Sequence, residues 1–571
     1  MKYTFFILFN FYSLALLCQS EVRVDLKKLI TDYEGFESYN KNDFPLGDFS
    51  ETRFKKEYEF FNEIQNKLSS ISLKDLSEND KISYGLLMFI INDKINSYEF
   101  NSRYNPILSD SGFHNSIIYN VRALTGEKDA IRYLELLKAI PLYVEQNIYL
   151  IQKGINIGVS QPKIIFKGFH TTYDKHITEN YKNNYYYTPF QELPDNIKKS
   201  LKDSIILEAQ KTINKSVIPS FKKIKSFFEK NYFLNTRDDI SISSTPNGGE
   251  YYKNRIKFYT TLGLTALEIH QIGLNEVSKI RNEMRKIIKG LNFKGDFENF
   301  INYLRTDEKF YAKTPRELLM IARDISKRLD EKLPEYFKTL PRKPYGVAPV
   351  PDAIAPKYTG GRYIPASEKS RTSAYYWVNT YDLKSRPLYT LPALSAHEAV
   401  PGHHLQIALN EEGNKNIPKF RKNFYLSAYG EGWGLYAESL ADEMGIYTTP
   451  YEKFGQLTYS MWRACRLVVD TGIHSFNWSR AKAVNYMSEN TALSFHEINT
   501  EIDRYISWPG QALSYKIGEL KIKELRSKSE KLLADKFDIH DFHEVILKNG
   551  TLTLPMLENQ INKYISQKLP H

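Results

Sequence analysis

The sequence predicts a mainly α-helical protein carrying one small β element. Three observations predict it. Long segments repeat apolar residues at spacings of three and four, as in Asp80 to Ile95 and Ala130 to Ile151, which places those residues on one helix face. Between Pro341 and Pro392 the texture changes to proline, glycine and tyrosine around a single aromatic and β-branched run. With 42% hydrophobic and 25% charged residues, the 571-residue chain has material for a large core and does not read as disordered.

The elements follow in order. Lys2 precedes the apolar run Phe5-Phe6-Ile7-Leu8-Phe9, which continues through Leu14-Ala15-Leu16-Leu17 and breaks into Cys18-Gln19-Ser20. That pattern is a signal peptide over 1–20, so the mature chain, 21–571, is expected to be exported to the periplasm or medium as one helical domain. Cys18 opens a lipid-anchored alternative, but Leu17 sits where a lipoprotein signal normally has a small residue, so simple export is the preferred reading. In Ala130 to Ile151, Pro141 is expected to kink or divide the helix. Leu264 to His270 opens another helix, with Thr265 as N-cap and Glu268 three residues on, and that helix is expected to end near Ile288. Ser373 to Thr380 reads as a strand, either an edge suited to holding an extended peptide by main-chain hydrogen bonds, with Tyr376 as a candidate substrate contact, or a strand that packs the core. Helices resume at Ala393 and run to the end, interrupted at Pro509-Gly510 and at Gly550 to Pro555.

Charge and cysteine content exclude several classes. The net charge of +11 is spread along the chain among 67 acidic residues. No basic stripe with interleaved aromatics occurs, so nucleic acid is not an expected partner. No segment after the signal is long and apolar enough to span a bilayer. Only two cysteines are present, and with Cys18 in the signal Cys465 stands alone, so neither a disulfide framework nor a thiolate metal site is expected.

The chemistry concentrates in His397-Glu398-Ala399-Val400-Pro401-Gly402-His403-His404. Catalytic zinc takes three protein ligands of the His and Glu type and keeps one position open. The usual helical solution is His-Glu-x-x-His, with two imidazoles on one face and a glutamate beside the first. Here the motif is stretched by Pro401-Gly402. Proline disrupts the helix and glycine tolerates an excursion, which would return His403 to the second ligand position. His404 competes, because residues seven apart share a face in an unbroken helix. His403 is the favoured ligand and His404 a candidate substrate contact. Glu431, 28 residues after His403, is the candidate third ligand. Glu438 shares its helix face and is expected to orient a ligand imidazole, the alternative being a solvated surface charge.

These segments, with Asp503-Arg504-Tyr505-Ile506-Ser507-Trp508-Pro509-Gly510-Gln511-Ala512, Tyr251-Tyr252, Glu268-Ile269-His270 and Phe542-His543-Glu544, resemble the bacterial domain-of-unknown-function 885 family along nearly all of the mature chain. That family is in turn similar, at a distance, to helical zinc peptidases such as angiotensin-converting enzyme and neurolysin. The resemblance implies a large helical zinc-peptidase-like fold of two lobes around a deep central cleft, with the metal site inside 390–515 and exopeptidase activity on oligopeptides. It also implies Tyr505 as oxyanion donor, with Tyr515 as the alternative, and His474 as a second contact to substrate or transition state. Arg504 would bind a substrate carboxylate, unless it pairs with Asp503 or another acid. His270 is a lesser cleft candidate, and His496, His540 and His543 are given no role.

The expected chemistry is hydrolysis with one Zn²⁺ per chain held by His397, His403 and Glu431, with Glu398 as general base. A hydrolase of a non-peptide amide or ester and a non-catalytic metal-binding envelope protein are the alternatives.

Overall fold

A computed structural model describes residues 25–352, 354–366, 372–413 and 417–569. The signal peptide expected over 1–20, with Cys18, lies outside the described residues. The chain divides into two compact units, Met1–Tyr251 with Ile506–Trp508, and Tyr252–Tyr505 with Pro509–His571. Both are helical, and no helix among the described residues is long and apolar enough to cross a membrane.

In the first unit, helices α1 (Glu51–Ser69) and α2 (Glu78–Glu99) pack as a pair, capped by the hydroxyls of Ser50 and Ser77. Helix α3 (Glu127–Asn156) packs against α4 (Lys199–Thr212) and α5 (Ile218–Lys230), which are joined by a π-turn at Ile213–Val217. Pro141 lies inside α3, and of the two effects expected from the sequence, a kink or a division, the division does not occur. Proline removes one ladder bond, but Leu137, Ile140 and Val144 around it are fully buried in the aromatic core and hold the helix on either side.

The second unit starts its long helices with α6 (Ala266–Gly290). Thr265 caps it and Glu268 closes a capping box, as the sequence predicts. Helix α7 (Pro315–Lys332) leads to a three-stranded sheet of β1 (Tyr345–Pro349), β2 (Gly361–Ile364) and β3 (Ala374–Val378). Its order is β1-β3-β2, with β1 parallel and β2 antiparallel to β3. The expected strand exists, but it is central. Both of its edges are paired, so it cannot hold a peptide by its main chain, and β2 is the edge strand on the other side.

The chain then forms α8 (Leu391–Glu398), α9 (His403–Glu412), α10 (Ser427–Glu443) and α11 (Pro450–Ser475). Every residue of α11 from Phe454 to His474 is buried, so it is a central helix rather than an amphipathic surface one. It packs along α6 and touches α8 and α10. Helix α12 (Phe495–Ser507) belongs to this unit through Tyr505, and α13 (Ser514–Leu533) packs along α10.

Candidate metal centre

Helix α8 ends at Glu398 because Ala399 leaves helical geometry, and Gly402 is likewise non-helical before α9 begins; the Val400–Pro401 peptide between them is cis. Glycine is required at 402. A Cβ there would stand 1.9 Å from the His397 carbonyl oxygen. Trp433 of α10 donates its indole N–H to the Pro401 carbonyl at 2.8 Å, satisfying a buried acceptor that the break releases. A straight helix, at about 100° per residue, would set His404 and not His403 over His397. The break reverses this.

His397 and His403 lie with ring centroids 4.7 Å apart and planes perpendicular. Glu431, on α10, places Oε2 3.4 Å from His397 Nε2 and 3.5 Å from His403 Nε2. One donor atom from each of the three residues lies within 4.8 Å of the others. Around a tetrahedral ion with bonds of about 2.0–2.1 Å, ligand atoms sit about 3.3 Å apart. Two imidazole nitrogens and a carboxylate oxygen at these separations therefore fit a divalent zinc-like ion. They are long for hydrogen bonds between the same groups.

The surroundings orient the donors. Glu438, one turn-pair along α10 and 1% exposed, bonds His397 Nδ1 at 2.8 Å and leaves Nε2 directed at Glu431. The solvated alternative for Glu438 is therefore excluded. Gly434 lies under the His397 ring, where a Cβ would come within 2.5 Å of Cε1. Tyr425 donates its hydroxyl to Glu431 Oε1 at 2.8 Å. His403 Nδ1 is buried with no partner among the described residues. Burial opposes charge on Glu431, yet His397 and His403 outweigh it and hold the carboxyl well below its ordinary range. Burial likewise opposes charge on His397, but Glu431 and Glu438 push its pKa up to about 10.

Glu398 is half-buried, and the Tyr363 backbone N–H donates to its Oε2 at 2.8 Å. That N–H lies on the edge of β2 away from β3. Arg362, exposed on the same strand, feels the charges of both Glu398 and Glu431.

The remaining predicted site residues fall elsewhere. His404 is 2% exposed, with Nδ1 3.3 Å from the Tyr363 hydroxyl and its ring against Tyr345. Burial pushes its pKa down to about 4. It supports the sheet and cannot contact substrate. Tyr376 is fully buried and accepts a bond from Ser395, because it points inward from the central strand, so it is a packing residue. Tyr505 is 1% exposed. Its hydroxyl accepts from Trp462 Nε1 at 2.9 Å and Arg466 Nε at 2.8 Å and donates its one proton to Glu501, leaving no donor to serve an oxyanion as predicted. His474 is fully buried, bonded at Nε2 to the Tyr505 carbonyl and packed on Tyr252, not at a substrate surface. Arg504 pairs with Glu501 and Gln511, while Asp503 pairs with Arg480, so the ion-pair alternative holds for it with a different acid. His270 bonds Thr471 and packs on Phe476 and Trp478.

Tyr515 differs from Tyr505. It is half-buried, and its hydroxyl has no hydrogen-bond partner among the described residues. It acts electrostatically on Tyr425, which itself holds Glu431. Sequence reasoning missed Tyr425 and Arg362. Tyr425 is one of 41 tyrosines with no distinguishing spacing, and only the pairing of β2 brings Arg362 beside Glu398.

The same helical architecture occurs in two solved structures. One, "the putative lipoprotein from Colwellia psychrerythraea", is 28% identical with a TM-score of 0.82, covering 90% of this chain and 92% of that chain. The other, "a putative lipoprotein of unknown function from Shewanella oneidensis", is 18% identical with a TM-score of 0.64, over 95% of this chain and 98% of that one, and shares the fold. Comparison with curated proteins gives no match. The chain belongs to the family described as bacterial protein of unknown function (DUF885), whose model matches residues 32–561.

Proposed function

We propose that the protein is an exported zinc-dependent hydrolase of peptide bonds, acting on oligopeptides as an exopeptidase. The observation that carries this reading is the convergence of His397, His403 and Glu431, with Glu431 Oε2 at tetrahedral-edge separations of 3.4 and 3.5 Å from the two Nε2 atoms and Glu398 next to the first ligand. A structural zinc site is normally closed by four protein ligands, whereas three leave a position for chemistry. Bound zinc would lower the pKa of a coordinated water and polarise the scissile carbonyl.

The chain's own residues supply the rest. Glu438 fixes the tautomer and direction of His397, and Tyr425 fixes Glu431. The Tyr363 N–H holds Glu398 Oε2, leaving Oε1 to take the water proton and pass it to the leaving amine. Tyr515, with its uncommitted hydroxyl, replaces Tyr505 as the oxyanion donor. The outer edge of β2 offers main-chain groups to an extended peptide. The likeness to the Colwellia protein supports export, with Cys18 as a candidate lipid-attachment site.

The test is metal analysis of the purified protein followed by cleavage of a mixed peptide library read by mass spectrometry. Stoichiometric zinc, trimming from one chain end, and loss of about 10²–10⁴-fold in turnover in Glu398→Gln with zinc retained are expected. Bound zinc without cleavage of any peptide would direct the search to non-peptide amides and esters or to a non-catalytic role. Undiminished turnover in Glu398→Gln would remove that residue from the mechanism.

A further inference from the structure

The second unit also concentrates arginine where α11 faces α12. Arg463 and Arg466 are 5% and 3% exposed, and Arg386 and Arg504 are half-buried beside them. Burial pushes the Glu497 carboxyl up to about 7 and the charges of Arg386, Arg463 and Arg466 oppose it, so all three lie within electrostatic reach of one acid. Arg466 and Arg504 share Glu501, at 2.9 and 3.3 Å.

The donors in this cluster are not used up. Arg466 spends Nε on Tyr505 and Nη2 on Glu501, and its Nη1 has no partner among the described residues. Arg463 reaches the Tyr459 carbonyl at 3.4 Å and Glu438 at 3.7 Å, and its Nε is unpartnered. The Nε of Arg386 is unpartnered as well. A buried charged donor left without an acceptor is costly, more so than a neutral one at about 1–3 kcal/mol, so three together need an explanation. Four guanidiniums face Glu497 and Glu501, and they outnumber the acids even when Glu438 is included. Aromatic rings wall the cluster: Trp462 lies 4.2 Å from the Arg463 guanidinium and 4.4 Å from that of Arg466, and Tyr515 lies 4.3 Å from Arg466.

Planar forks with free N–H groups bind carboxylates and phosphates bidentately, because two parallel bonds form at once, and of these two the carboxylate is the anion a peptide carries. The cluster adjoins the metal centre on two sides. Arg463 approaches Glu438, which orients His397, and Tyr515 links Arg466 to Tyr425 and so to Glu431.

We propose that Arg386, Arg463 and Arg466 form a carboxylate-binding subsite that holds a free carboxylate of a peptide while a neighbouring bond lies at the metal centre. The role in catalysis rests on the hydrolase reading; carboxylate binding itself does not. The carboxylate can come from a C-terminus or from an acidic side chain. Either source uses the same donors.

Calorimetry on the full chain stripped of metal with a chelator tests the subsite without reference to turnover. The probes are N-acetyl-alanine, N-acetyl-alaninamide and the α-monoamide of N-acetyl-aspartate, whose one carboxylate is the side chain's. At least one carboxylate probe should bind tenfold or more tighter than the neutral amide. Tighter N-acetyl-alanine identifies a C-terminal carboxylate, and tighter aspartyl probe identifies an acidic side chain. The preference should vanish in Arg386→Gln, a half-buried position, and shrink at least tenfold in Arg466→Lys, which keeps the charge and loses the fork. Equal binding of acid and amide, a preference that survives both substitutions, or equal competition by chloride would overturn the proposal. Carboxylate preference in a protein that neither binds zinc nor cleaves peptides would leave the subsite standing and remove the hydrolase reading instead.

Discussion

At the scale of single residues, the centre depends on charge balance around His397. In the metal-free protein, Glu431 and Glu438 outweigh burial and raise its pKa to about 10, above the unfolded value of about 6.5. A group whose folded pKa is raised contributes stability that is fully present below about pH 6.5 and is lost as pH rises through about 10. The metal-free protein should therefore melt at a lower temperature at pH 10 than at pH 7 at a given ionic strength. Glu438→Gln should flatten that dependence, and thermal unfolding followed by circular dichroism reads both. Zinc replaces this proton, so its apparent affinity should climb over the same pH window. Tyr505 makes the complementary point. Its position in an Arg-Tyr pair marks it out in the sequence, but the number of bonds its hydroxyl already makes is a property of packing that no spacing encodes.

At the scale of elements, the feature to explain is the break between α8 and α9. The Pro-Gly insertion was legible in the sequence, but spacing alone left His403 and His404 as rivals; it is the break in the structure that sets His403 beside His397. What was not legible is the latch: Trp433, 32 residues after Pro401, closes the break from α10. Trp433→Phe keeps the ring and removes the donor. It should cost about 1–3 kcal/mol, because the Pro401 carbonyl is then left buried and unpaired. It should also weaken zinc binding by displacing His403, and denaturant titration with chelator competition measures both effects. The sheet shows a second limit of sequence reading. Aromatic and β-branched residues marked β3 correctly as a strand, yet a strand's place in a sheet is set by its neighbours. The short Gly-Arg-Tyr-Ile segment that forms the edge strand beside Glu398 carries almost no strand signal of its own.

At the scale of the molecule, helical class and caps followed from periodicity and from residues such as Thr265 and Glu268, because these are local. The division into two units and the burial of α11 on all sides depend on contacts distant in sequence. All proposed metal donors lie in the second unit, on α8, α9 and α10. A ligand that binds only the folded state stabilises it by about 2.7 kcal/mol at a hundred times its dissociation constant. Chelation should therefore speed amide hydrogen exchange in those three helices and leave α1 and α2 unchanged. Uniform acceleration across both units would show that metal binding supports the whole chain as one cooperative body.

Gly434 gives a way to sort relatives by a single letter. Its hydrogen occupies the only room left beneath the His397 imidazole, so the backbone of α10 serves as the floor on which that ring rests. Any side chain at this position competes with the imidazole for the same space, even though alanine would suit the helix better. In an alignment, then, glycine at 434 should accompany the proposed metal site. Its replacement should mark a lineage that keeps the scaffold without the proposed ion, even where His397, His403 and Glu431 all remain.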